Sequence, residues 1–281
     1  MSAGEIRRLG MDDLTAFADL SEARGWGRSL LRWTTILCHA TAWGIDRSGG
    51  GLDGTVTLCS YPGGTASLGG MLVPADRERR GIGSRLLQHA VAHASGPVYL
   101  YATAQGEPIY QRLGFVQTDV VHVHVGRFAP ASAAPAAVAV GMGEPDAAGM
   151  ARLFELDRSA GSGDRSAVLG ELARARGSRL ATHHDEHAAG LAYWSNDVWM
   201  IGPVVAESEI GAIQVAAALA HGARGGRCRL DAAAGQTSLR EWCRARGLSE
   251  ERTLPGMVFG ADARGWRPDP RRRALASLGF G

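Results

Sequence analysis

Cysteine is scarce, and what there is has no useful spacing: Cys38, Cys59, Cys228 and Cys243 form no C-x-x-C pair and no ligand pattern with histidine. That argues against a zinc site or a disulfide framework and for thiols in a reducing compartment. No apolar run approaches the length of a bilayer span, and the opening Met-Ser-Ala-Gly-Glu-Ile-Arg-Arg lacks the apolar core of a secretory leader. A cytoplasmic protein without a membrane partner is expected. Charge of one sign is missing too: the net charge is +2 over 281 residues, which gives no reason to expect a nucleic-acid partner. Aromatics are only 6% of the chain, yet a hydrophobic content of 45% supports well-buried cores, so disorder is not the default expectation. The abundance of Arg, Ala and Gly is that of high-GC bacterial coding.

The most informative stretch is Leu68 to Leu87, which joins an apolar run, Leu68 to Val73, to the helical spacing of Ile82, Leu86, Leu87 and Ala90 through a basic, glycine-containing turn. The first turn of a helix has backbone N–H groups without intrahelical partners, and the macrodipole adds positive charge there, so anions are held well. Gly81 and Gly83 let a phosphate approach the main chain, Ser84 offers a hydroxyl, and Arg77, Arg79 and Arg80 attract the anion. Farther on, Val98 to Thr103 reads as a strand. Gln105 to Phe115 reads as a short helix ending Tyr-Gln-Arg-Leu-Gly-Phe, with Gly114 as its C-cap before a strand from Val116 to Val125.

Strand, Gly-Ile-Gly, strand and Y-x-x-L-G-F in this order resemble the acetyl-CoA signature of the GNAT (GCN5-related N-acetyltransferase) superfamily. The resemblance implies an α/β fold, of α+β type, with a mixed central sheet flanked by helices. It implies acetyl-CoA as co-substrate, bound by Leu72, Val73, Arg79, Arg80, Gly81, Ile82, Gly83, Ser84 and Thr103, with Tyr110 as general acid. Glu78 departs from the family, which carries Arg or Gln three residues before the first glycine, and Thr103 stands where many members have asparagine.

Around this signature, Ile6 to Leu9 reads as a strand, Asp12 to Leu20 and Leu30 to Leu37 as helices, and Gly54 to Tyr61 with Thr65 to Val73 as a hairpin. Residues 1–128 form the expected acetyl-CoA-binding domain. Residues 129–137, alanine and proline with one serine, read as a linker. Residues 138–281 form a second domain with no G-x-G cradle. Its helix Ile210 to His221 follows the strand Ile201 to Ala206 in the corresponding place, and it resembles the degenerate GNAT-like half of two-domain bacterial members, so tandem GNAT folds are expected. His183-His184-Asp185-Glu186-His187 reads as a turn between strands, and no metal is expected. Arg264 to Arg273 reads as solvated arginines leading into a short helix, Ala274 to Leu278.

Acceptor choice in the family lies with the first two helices and their loop, which here carry Trp26, Trp33 and Trp43 among Arg24, Arg28 and Arg32. Trp26 and Arg28 are candidate acceptor contacts. His122, with His124 on the same strand face, is a candidate for acceptor binding or proton removal. The resemblance thus implies an N-acetyltransferase acting on a small-molecule amine, with a homodimer compatible with it. Two alternatives stand beside it: a CoA-binding regulatory or sensor module, and acetylation of a protein.

Overall fold

The computed structural model describes residues 4–130, 140–161, 163–260, 263 and 265–280. The expected linker lies outside them from residue 131 onward. The first half runs β1 (Ile6–Leu9), α1 (Leu14–Ala23), α2 (Leu30–His39), β2 (Thr41–Asp46), β3 (Leu52–Tyr61), β4 (Thr65–Leu72), α3 (Ile82–Ala92), β5 (Val98–Tyr101), α4 (Glu107–Arg112) and β6 (Val116–Arg127). The second half runs β7 (Val140–Gly143), α5 (Ala147–Ser159), α6 (Ser166–Ala173), β8 (Arg179–His183), β9 (Ala188–Ser195), β10 (Val198–Ala206), α7 (Glu209–His221), β11 (Arg227–Ala233), α8 (Thr237–Ala245) and β12 (Leu248–Phe259). One further strand, β13 (Arg272–Ala274), follows. Through β12 the two halves repeat one order of helices and strands.

Local chemistry accounts for the helix starts. Ser29 and Ser208 accept from the backbone N–H groups of Arg32 and Gly211, and Asp146 accepts from Gly149, so α2, α7 and α5 each begin at a side-chain cap. The first helix starts later than the sequence suggests. Residues Met11–Asp13 form a 3-10 turn because the Asp13 carboxylate takes the Gly10 N–H at 2.9 Å and pairs with Arg7.

Among the described residues, thirteen strands form one sheet in the order β1-β2-β3-β4-β5-β12-β6-β11-β13-β10-β9-β8-β7. The halves are therefore not separable along the chain: β12 lies between β5 and β6, and β6 lies between β12 and β11. Each half completes its part of the sheet with the other's sixth strand. Val121, Val123 and Val125, alternating along β6, pack with Leu254 and Leu275 at this seam, where burial of aliphatic side chains on a period of two fixes the register.

The parallel pairs behave differently in the two halves. Strands β4 and β5 pair only at Ala66 with Val98 and Ser67 with Tyr99, and then diverge. Strands β10 and β11 pair from Val198 to Ile201, and their diverging ends are filled by β13, which pairs Ala274 with both Val204 and Ala232. This overturns the expected helix at Ala274 to Leu278 and the expected solvation of Arg272 and Arg273, while Arg267 is exposed as expected and Arg264 lies outside the described residues. Diverging strands leave backbone groups that a third strand can satisfy. Arg272 and Arg273 are carried into the wedge and buried, Arg273 donating to the carbonyls of Ala206 and Glu207 and to Gln236 Oε1 at 3.0, 2.7 and 2.9 Å. Beyond β13, Ser277 to Phe280 crosses to the first half, where the Phe280 carbonyl accepts from the hydroxyls of Tyr61 and Tyr99 and from Arg165.

Gly126, at the seam between β12 and β11, has no room for a side chain: a Cβ there would stand 1.9 Å from the Gly247 carbonyl oxygen. Gly126→Ala is expected to lower stability by about 1 to 3 kcal/mol through overpacking, read by urea denaturation. Unchanged stability would mean that the seam can give.

Candidate active site

The turn between β4 and α3 has the form expected of an anion cradle. Gly81 caps α3 at φ 76°, a left-handed conformation natural to glycine, and a Cβ there would meet nothing within 4 Å, so the space in front of it is open. No side chain caps this helix, which leaves its first N–H groups for a ligand. Gly83 faces inward, with the Met71 methyl 3.0 Å from where its Cβ would be. A cavity of about 520 Å³ runs along this turn and is lined by Leu72, Val73, Arg79, Gly81, Ile82, Gly83, Ser84 and Thr103, so the structure brings these sequence candidates together.

Glu78 is not left facing the cradle as a lone negative charge. Arg24, from the turn after α1, reaches it at 2.7 Å, and Gln105 bridges the two, accepting from Arg24 at 3.0 Å and donating to Glu78 at 3.1 Å. The triad ties the α1–α2 loop to both ends of the signature.

At the inner end of this cavity the ladder between β3 and β4 is bulged: Thr57 faces Gly69 and Thr55 faces Leu72, so Gly70 and Met71 together oppose Val56. Gly70 takes φ 54°, and its carbonyl accepts from the Thr55 hydroxyl at 2.7 Å. A bulge of this kind releases backbone groups from the ladder. Tyr110 on α4 lies beside it, its ring edge-on to Phe115 at 5.6 Å. The Tyr110 hydroxyl has no hydrogen-bond partner among the described residues, and burial pushes its phenol well above the usual range, so it remains a proton donor.

Trp26, Met71, Tyr101, Thr103 and Tyr110 also border a second cavity of about 390 Å³, which lies between the two halves. Its walls are the α1–α2 loop, the β9–β10 hairpin, the tail from Ser277 to Phe280, and Arg229 and Arg252 of the central strands. The hairpin is held against the loop by a hydrogen bond of 2.9 Å from Ser195 to Ser29. Bulge and phenol are thus reached from two sides, through the cavity that holds the cradle and through the one between the halves.

Three sequence candidates lie elsewhere. Arg28 points away from the cavities and pairs with Asp19 and Glu22, neighbours on the face of α1. Arg80 is exposed and lines neither cavity, because the left-handed turn at Arg79 and Gly81 directs it outward. His122 contacts Glu250 at 3.1 Å, and fully buried His124 contacts the His122 carbonyl, both on the sheet face opposite Val121 and Val123. Among the described residues no histidine lines either cavity. Conversely, the sequence reading did not single out Met71, Tyr101, Tyr193, Arg229 or Arg252. Of these, only Arg229 lies in a readable pattern, the alternation Arg227, Arg229, Asp231 that puts side chains on one strand face.

Two family models match the sequence, each described as an acetyltransferase (GNAT) domain, over residues 38–117 and 153–268. The chain belongs to the GNAT superfamily. It contains two such domains, and the family assignment supports an acyltransferase. The fold is similar to that of a Pyrococcus horikoshii protein assigned as an acetyltransferase (18% identity, TM-score 0.80, covering 100% of this chain and 97% of that one). It is also similar to a GCN5-related N-acetyltransferase from Sphaerobacter thermophilus (15%, TM-score 0.64, 91% and 95%). A tandem GNAT protein from the clavulanic acid biosynthesis pathway is a third (16%, TM-score 0.63, 92% and 98%). No curated protein sequence matches the chain.

The second GNAT domain has lost the features that make a cradle in the first. Its wedge between β10 and β11 holds β13, and the N-terminus of α7 is capped by Ser208, whose hydroxyl donates to Glu186. At Gly211, near the position of Gly83 in α3, a Cβ would stand 2.7 Å from Glu186 Cβ, so the approach is closed by protein and by negative charge. Calorimetric titration with CoA is accordingly expected to saturate at about one molecule per chain. Two per chain would show that β13 leaves its wedge.

Proposed function

We propose that the protein is an acetyl-CoA-dependent N-acetyltransferase whose acceptor is a small-molecule amine. The observation that supports this most directly is the meeting of the two cavities at Tyr110 and the β4 bulge, with an open helix N-terminus at the outer end of one of them. Acetyl-CoA would supply an activated acetyl thioester. Gly81, Ile82, Gly83 and Ser84 suit its pyrophosphate through main-chain N–H groups, while Leu72, Val73 and Thr103 line the way inward.

The work left to this chain is to position, polarise and protonate. The released backbone at Gly70 and Met71 suits the negative charge that develops on a carbonyl under attack. Tyr110 holds a proton on Oη, available to a departing sulfur as the bond from nitrogen to the acetyl carbon forms and the carbon–sulfur bond breaks. With no histidine at hand, the amine proton leaves to solvent. A sensor module without turnover would be favoured by an uncompensated Glu78, but Arg24 already neutralises that carboxylate.

Two variants test this reading. Gly81→Asp puts a charged side chain at a left-handed position in front of α3 and is expected to abolish micromolar CoA binding by calorimetry; retained binding would remove the cradle from the site. Tyr110→Phe is expected to lower turnover by about 10²-fold or more while sparing CoA affinity. The pH profile of kcat/KM should rise as the amine loses its proton and show no falling limb below about pH 10, because burial keeps the phenol protonated past its usual range. A falling limb near neutrality would assign the acid to another group.

A further inference from the structure

Among the described residues, four arginines, Arg32, Arg227, Arg229 and Arg252, and one carboxylate, Asp197, are the charged residues lining the cavity between the halves. Arg32 of α2 projects over the face of Trp33, 4.4 Å from the ring centroid, and donates to the Trp26 carbonyl at 2.8 Å. Its Nε is buried without a hydrogen-bond partner. Arg252 of β12 has no ion-pair or hydrogen-bond partner among the described residues. Arg229 of β11 is held by both carboxylate oxygens of Asp231, at 2.7 and 2.8 Å. Arg229 thus has its own carboxylate, whereas neither Arg32 nor Arg252 has one in contact; Asp231 and Glu251 attract Arg252 only at longer range, and Asp197 of the β9–β10 turn also lines the cavity. The crowding is felt electrostatically: burial and then the charge of Arg229 bring Arg32 down to about 10, and the same two causes lower Arg252. Cations collected in a half-buried pocket without enough carboxylates are a cost to the folded protein unless an anion comes to them.

Resting on the acetyltransferase reading, we infer that the acceptor amine bears an oxyanion, a carboxylate or a phosphate, which Arg32 and Arg252 bind with Arg229 at the inner end of this cavity. Planar guanidinium groups suit such anions by paired hydrogen bonds. The amine belongs where Met71, Tyr101 and Tyr110 are shared with the CoA cavity. The separation follows from the strand: Gly256 of β12 pairs with Tyr101, and Arg252 stands four residues away on the same edge of the cavity. At the rise of a strand this is about 13 Å, shortened by the reach of the arginine. The acceptor is therefore an amine with its anion across a spacer, rather than a compact α-amino acid. The second domain supplies Arg229 and Arg252 to the anion, and the first supplies Arg32 as well as the cradle.

The test compares hexylamine, aminohexanoate and aminohexyl phosphate as acceptors by thiol release from acetyl-CoA, in the parent protein and in Arg252→Gln and Arg252→Lys. One or both anionic amines should exceed hexylamine in kcat/KM by about tenfold or more, and the better of them identifies the anion. Arg252→Gln should erase that preference through KM rather than kcat, and Arg252→Lys should restore part of it. Equal use of hexylamine, or a preference that survives Arg252→Gln, overturns the inference. Should no amine be acetylated, the acetyltransferase reading fails, and the anion site is decided separately by tryptophan fluorescence, since Trp26 and Trp33 line the cavity. Saturable quenching by acetamidohexanoate that Arg252→Gln weakens about tenfold supports the site. Absence of quenching, or quenching indifferent to the substitution, rejects it.

Discussion

Two parallel strands that part company leave a gap in a sheet, and the architecture of this protein turns on how that gap is treated. Backbone N–H and carbonyl groups along the diverging edges need partners. In the second domain β13 provides them and becomes part of the sheet. In the first domain the gap after Ser67 and Tyr99 is left open, between the bulge of β4 and the phenol of Tyr110. One repeated fold thus yields a ligand cleft in one copy and a wedge of buried chain in the other. The difference is made by a short segment following the repeats, not by the repeats themselves.

That segment also fastens the halves together. After β13 it delivers the Phe280 carbonyl to the hydroxyls of Tyr61 and Tyr99 in the first half and to Arg165 in the second. Arg165 is itself paired with Asp157, both almost wholly buried. Burial works against the Asp157 charge, but Arg165 outweighs it and holds the carboxyl below its usual range. A buried ion pair adds little net stability, yet either charge left alone there would be costly, so the pair specifies one arrangement of tail and helices. Because Ser277 to Phe280 lines the cavity between the halves, this arrangement also shapes the pocket.

The parts of the site that can be read from sequence are those built by neighbours in the chain. Gly81, Ile82 and Gly83 lie within one turn, and their conformational needs are local; Tyr110 sits in a motif whose C-cap glycine announces its own geometry. The bulge at Gly70 is invisible because it depends on the register against β3, which nothing in residues 65 to 72 fixes. Arg28 looked like an acceptor contact because it is near in sequence to Trp26, but a helix face occupied by Asp19 and Glu22 captures it. Arg229 and Arg252 lie about two hundred residues from Arg32 and meet it only through the exchange of β6 and β12, a long-range pairing with no signature in periodicity. The fate of Arg272 and Arg273 was hidden for the same reason, since a run of arginines reads as solvent-facing until the wedge that accepts it is known.

The exchange of strands also bears on the chemistry. An amine must lose a proton before it can attack, and a pocket with surplus guanidinium charge disfavours the ammonium form by repulsion, with no histidine among the described residues lining it to receive the proton. Left uncompensated, the same charge would repel the amine itself. The inferred acceptor, bringing its own anion, would resolve this: the anion would draw the molecule in and settle on Arg32 and Arg252 while the amine stayed at the junction beside Tyr110. Arg32 comes from the first domain and Arg252 from the second, so neither domain alone would assemble this field. In the proposed reading, the pairing of β12 with β5 and β6 would therefore do for acceptor recognition what the open wedge does for the cradle, by bringing Arg252 beside Arg32 in a cavity that reaches Tyr110.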